Sequence, residues 1–172
     1  MSAPASAARL ALAAGSATKA PGVPVAVALG SNLGDREATL LAALDALRPL
    51  ISNLRASTFH DTAPVGVPSP QPRYLNAAAV GTTVLSARAL LDALLAIEQR
   101  FGRERVHQNA PRTLDLDLIL YGREVIDEPG LVVPHARFRD RAFVLAPLVE
   151  IAPQMPDPVT GKSIEELLRS LR

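Results

Sequence analysis

Asp115 and Asp117 stand two residues apart in the run Leu114-Asp115-Leu116-Asp117-Leu118-Ile119-Leu120. Leu114, Leu116, Leu118 and Leu120 alternate with the other residues, the period of a strand. Residues two apart in a strand point to the same face, so both carboxylates project side by side and the four leucines turn the other way, into a core. Two carboxylates that close repel, and either one keeps a proton or a cation sits between them. Oxygen-only ligands on a rigid element suit a hard ion such as Mg²⁺. A solvent-facing edge strand with two acids shows the same pattern, and D-x-D alone does not separate the two readings.

The residues just upstream bear on that choice. Gly102 to Arg112 is polar and carries Arg103, Arg105 and Arg112. Guanidinium forks bind phosphate oxygens bidentately, and carboxylates recruit Mg²⁺. Together they suggest a polyphosphate ligand; a salt-bridged surface is the alternative. Other chemistries have less support. The three His lack the i, i+4 spacing of a zinc helix, and there is no Cys for a thiolate site or a disulfide. Gly161-Lys162-Ser163 imitates the end of a phosphate-binding loop, but Pro156 stands where its first Gly belongs. Ser163 with Glu166 reads instead as a capping box opening a final helix.

The elements that must position these groups follow from periodicity. Val23 to Leu29 reads as a nearly apolar central strand. Gly30-Ser31-Asn32-Leu33-Gly34-Asp35 turns into a helix that reaches about Leu47, with Leu40, Leu44 and Leu47 on one stripe. The glycines suit a structural turn, or a loop whose backbone approaches a ligand. Leu54 to His60 reads as a second strand. Asp61 to Arg73 holds four prolines, which makes it a long, stiffened surface loop. Ala77 to Val84 reads as a third strand, with Asn76 just before it. Ser86 caps a helix from about Ala87 to Phe101, and Glu98 lies at the margin of its apolar stripe as either a solvated flank or part of a site.

At 172 residues, 48% hydrophobic and 20% charged, the composition suits one soluble globular domain. A net charge of +1 argues against a general nucleic-acid binder, and no segment is long and apolar enough to span a membrane. Residues 1–22 read as a flexible Ala/Ser/Pro-rich extension and 23–172 as the domain, with a cytoplasmic setting expected.

Over roughly residues 24–170 the chain resembles the 6-hydroxymethyl-7,8-dihydropterin pyrophosphokinase family of folate synthesis. The blocks that carry the resemblance are Ala28 to Asp35, Tyr74-Leu75-Asn76-Ala77-Ala78, Pro111 to Asp117, and Val133-Pro134-His135 through Arg141 to Leu148. The resemblance implies an α+β fold, a ferredoxin-like, mostly antiparallel sheet with helices on both faces. It implies transfer of pyrophosphate from ATP to the pterin, with release of AMP, in a protein expected to work as a monomer. Asp115 and Asp117 would hold two Mg²⁺ ions, and with Arg103 and Arg112 they would be the catalytic set. Glu98, Arg103, Arg105, Arg112, Leu118, His135 and Arg141 would contact ATP. Thr62, Ala63, Pro64, Val65, Tyr74, Asn76, Asp115 and Phe143 would receive the pterin, with Tyr74 and Phe143 stacking on its ring. Asn109-Ala110 departs from a frequent aromatic-Gly pair. Ala63 and Ala136 replace a frequent Pro and a frequent aromatic.

Overall fold

A computed structural model describes residues 21–102 and 111–172. Its centre is β1 (Val23–Ser31), whose residues from Val25 onward are all buried. A strand covered on both faces reads as a continuous apolar run, as this one does. It pairs antiparallel on one side with β4 (Tyr74–Thr83) and on the other with β5 (Asp115–Tyr121). β2 (Ser52–Ala56) adds to the far side of β4, giving the order β2-β4-β1-β5. With α1 (Arg36–Leu47) after β1 and α2 (Ala87–Arg100) after β4, this is the ferredoxin-like arrangement expected.

The second strand is shorter than the sequence suggests. It stops at Ala56, and a separate β3 (His60–Thr62) pairs with the start of β4. The Ser57 side chain accounts for part of the break. Its hydroxyl accepts from Ala78 N at 2.9 Å while Ser57 N donates to Ala78 O, which ends regular pairing there. The long loop therefore begins at Ala63, not Asp61. Its base is tied by Arg36, which donates to Asp61 Oδ2 at 3.1 Å and Arg73 O at 2.9 Å, and by an Arg73–Asp61 ion pair.

Two apolar layers flank the sheet. On one face Leu40, Leu44 and Leu47 of α1 and Leu90, Leu94 and Ile97 of α2 pack on Val25, Val27 and Leu29. On the other, α3 (Ala142–Ile151) and α4 (Ile164–Arg169) pack on Ala26, Ala28, Ala78 and Val80. β6 (Ile126–Glu128) and β7 (Leu131–Val133) form a small separate hairpin. The capping box of Ser163 and Glu166 opens α4 as read from the sequence.

The expected face of one leucine is overturned. Leu114, Leu116 and Leu118 lie in the α1/α2 layer, but Leu120 lies with Ile119 in the α3/α4 layer. The cause is a bulge: Ala26 pairs with Leu120 and Val27 with Leu118, so Ile119 is an extra residue and the alternation reverses.

Candidate active site

The site occupies the face of the sheet that carries α3, where small side chains leave room. Ala28 and Gly30 of β1 form its floor. A Cβ on Gly30 would sit 3.3 Å from Asn76 Oδ1 and 3.8 Å from a Tyr74 ring carbon, so a larger residue would crowd that end of the cleft. Asp115 and Asp117 pair with Gly30 and Ala28, which places both carboxyl groups over this floor. The bulge comes after them, so the side-by-side geometry read from D-x-D holds.

Arg112 Nη1 donates to Asp115 Oδ1 at 2.8 Å. Asp117 has His135 Nε2 at 3.8 Å from its Oδ2. Burial, then the charges of Asp115 and Glu98, push the Asp117 carboxyl up to about 7, against the opposing pull of Arg141 and Arg112. His135 is held below its ordinary value, first by burial and then by Arg141 and Arg137. Its Nδ1 accepts from Arg137 N at 3.2 Å, so the neutral ring carries its proton on Nε2, facing Asp117. Arg141 is likewise lowered, by burial first and by Arg137 next. It stands directly before α3, with its guanidinium carbon 5.5 Å from the centre of the Phe143 ring.

The other end of the cleft is built on β3 and β4. Tyr74 and Asn76 line it, and Asn76 Nδ2 donates to Thr62 Oγ1 at 2.6 Å. Phe143 and Val144 of α3, with Ala63 and Val65 of the long loop, complete the walls. α3 is fastened to the strand segment before β3, because Glu150 accepts from Thr58 N and Thr58 Oγ1, each at 2.9 Å.

Most residues singled out from the sequence thus converge on one cleft. Three do not line it. Pro64 lies in a shallow groove of the long loop beside Pro68 and Gln71. Leu118 is 4% exposed in the α1/α2 core, so its side chain points away. Glu98 is 1% exposed and accepts from Leu116 N at 2.7 Å. It is neither a solvated flank nor a cleft wall: it holds the outer edge of β5 between the two aspartates. Arg103 and Arg105, and the departure at Asn109-Ala110, lie outside the described residues.

Two cleft-region residues were missed. Asn32, 1% exposed, accepts from Arg112 N at 2.8 Å, and its own N donates to Arg112 O at 3.1 Å. Its amide also donates to Gln71 Oε1 at 3.2 Å and Pro72 O at 3.4 Å. It thereby joins the first turn, the long loop and the start of β5. An Asn between two glycines after a strand was the signal available. The second is Arg137, which lines the cleft; its only cue was its place in an Arg-rich stretch.

Asp117 makes stability depend on pH. Its carboxyl binds a proton more tightly in the folded chain, near 7, than at the ordinary 3.8. The stability this contributes is full below the ordinary value and is lost as pH rises through about 7. Metal-free protein should therefore melt at lower temperature as pH climbs from about 4 to about 7, and Asp117→Asn should flatten that decline. Melting curves in chelator for both proteins test this; parallel curves would remove Asp117 as the cause.

The donor set also tests the fit of a metal. Among the described residues no group of three or more His, Cys, Asp or Glu could hold an ion alone. Mg²⁺ in nucleotide sites takes one or two carboxylates and completes its shell with phosphates and water. Asp115 and Asp117 fit that need.

Comparisons with known proteins show the family. Residues 26–153 match the family model described as 7,8-dihydro-6-hydroxymethylpterin-pyrophosphokinase. The chain is 44% identical over 146 residues to the 2-amino-4-hydroxy-6-hydroxymethyldihydropteridine pyrophosphokinase of Pseudomonas aeruginosa, covering 84% of this chain and 89% of that protein. It is 41% identical to the Synechocystis protein of the same name, covering 84% of this chain and 74% of the other. Among solved structures, the wild-type Plasmodium falciparum HPPK-DHPS superposes with a TM-score of 0.70 at 12% identity, which supports the fold alone. That match covers 87% of this chain and 45% of the longer one. By its sequence and its fold, the chain belongs to the 7,8-dihydro-6-hydroxymethylpterin-pyrophosphokinase family.

Proposed function

We propose that this cleft transfers the β,γ-pyrophosphate of ATP to the hydroxymethyl group of 6-hydroxymethyl-7,8-dihydropterin, releasing AMP as a step of folate synthesis. One observation carries the assignment of ends: a single cleft joins the β5 aspartates, with three Arg, to Tyr74 and an Asn76–Thr62 pair on β3 and β4, with the Phe143 ring 5.5 Å from the Arg141 guanidinium. The first set suits magnesium and polyphosphate, the second a flat heterocycle with a polar edge. The match to relatives of that name supports the reaction. We take residues 23–172 as the working domain, a monomer in the cytoplasm.

In the reaction the pterin hydroxyl oxygen bonds to the β-phosphorus. The bond from that phosphorus to the α-phosphate oxygen breaks, the electron pair stays on AMP, and the hydroxyl proton passes to solvent. Asp115 and Asp117 would hold two Mg²⁺ ions, whose charge offsets that of the transferred group when bound. Arg112 orients Asp115 through their hydrogen bond and, with Arg141, presents donors to phosphate oxygens. Neutral His135 offers its Nε2–H beside Asp117. Tyr74 and Phe143 orient the ring, while Asn76 and Thr62 match its polar edge. Positioning of this kind supplies much of the rate, because no side chain among the described residues is assigned as a dedicated base. Arg103 and Arg105 are assigned to the nucleotide on the strength of the family resemblance.

Incubation with ATP, Mg²⁺ and the hydroxymethyl pterin should yield AMP only when the pterin is present. Release of ADP, or of phosphate without pterin, would overturn the assignment. Phe143→Ala should raise KM for the pterin about tenfold and leave KM for ATP nearly unchanged, since one ring face is lost. The reverse order in steady-state kinetics would misplace the pterin.

A further inference from the structure

Arg137 lines the cleft beside Asp117, His135 and Arg141, yet no motif above assigns it a task. Among the described residues its guanidinium has no hydrogen-bond or ion-pair partner, whereas Arg112 is held by Asp115 and Arg139 by Asp157. Its backbone is fixed from both sides. Arg137 N donates to His135 Nδ1 at 3.2 Å, Phe138 is fully buried, and Arg139 grips buried Asp157 through two hydrogen bonds of 2.7 and 2.8 Å. A pinned backbone that presents an unpaired cation to a cleft is suited to a mobile anion rather than to the fold.

Its place across the sheet says which anion. The sheet runs β4-β1-β5, and β5 is its outer strand. Tyr74 and Asn76 mark the β4 end. Asp115 and Asp117 lie on β5, and the segment leading to Arg137 is attached there, His135 N donating to Ile119 O at 3.0 Å. Successive strands stand about 4.8 Å apart, so the segment that carries Arg137 runs on the β5 side of the sheet, two strands from Tyr74 and Asn76.

We propose that Arg137 binds the nucleotide on the adenosine side of the bond that breaks, pairing with the α-phosphate that departs in AMP. This rests on the ends of the cleft being assigned as above. The test uses the full chain with Arg137→Ala and Arg137→Lys. AMP formation is measured while ATP and pterin are varied separately, and AMP binding is measured by calorimetry without pterin. Arg137→Ala should raise KM for ATP and weaken AMP binding about tenfold, the loss of one charge-assisted contact, with KM for pterin unchanged. Arg137→Lys should recover part of both. Unchanged ATP and AMP parameters, or equal weakening of pterin and ATP, would overturn the role. A parent protein that makes no pterin-dependent AMP would sink the activity instead, and the AMP titrations would still decide the role of Arg137.

Discussion

Asp117→Asn is expected to lower pterin-dependent AMP formation on the order of a thousandfold, while the metal-free protein becomes no less stable. The two effects have one origin. Asp117 is recessed over the Ala28 floor, and burial together with Asp115 and Glu98 makes its negative charge unfavourable there. Asn keeps the shape and removes the charge, which relieves the folded chain. The charge is also what a magnesium ion needs, and a neutral amide oxygen is a poor replacement. The strand itself is untouched, because Leu116 and Leu118 on its other face still fill the α1/α2 core. Initial rates at saturating ATP and Mg²⁺, alongside thermal unfolding in chelator, check both halves. A near-normal rate would rule out the aspartate pair as the metal-holding groups.

Asn32→Ala is expected to cut kcat/KM for both substrates roughly a hundredfold, about 2.7 kcal/mol of transition-state stabilisation. Asn32 touches neither end of the cleft directly. Its side chain accepts from Arg112 N, and its amide donates to Gln71 and Pro72. Truncation removes the part-buried hydrogen bonds to Arg112 N, Gln71 Oε1 and Pro72 O, each loss costing on the order of 1 kcal/mol. It also frees the segment that delivers Arg112 to Asp115 and the loop that lines the ring end. A positioning role predicts that Asn32→Asp, which keeps the acceptor for Arg112 N but cannot donate to Gln71 and Pro72, recovers KM for ATP more than KM for pterin. Equal losses for Asp and Ala would leave Asn32 with a purely structural part.

Period-two alternation around Asp115 and the apolar run from Val25 to Leu29 were legible because each depends only on neighbours in the chain. So were the α1 and α2 stripes and the Ser163 capping box. These local patterns, with the motif blocks, were sufficient for the family and for most of the cleft, from Arg112 and His135 to Tyr74 and Phe143. Three findings needed partners distant in sequence. Leu120 changes face because of its register against Ala26, which alternation within one strand cannot encode. Glu98 looked ambiguous on its helix; the edge of β5, 18 residues further on, makes it a buried acceptor. Asn32 becomes a junction only when Arg112, 80 residues away, is brought beside it. The amino-acid sequence by itself determined which residues could do chemistry and, up to the bulge in β5, which face the central strands and the first two helices bury. Only the tertiary structure decided which of them share the cleft, because edge-strand pairing, bulges and side-chain bridges are contacts between segments and leave no period in the chain.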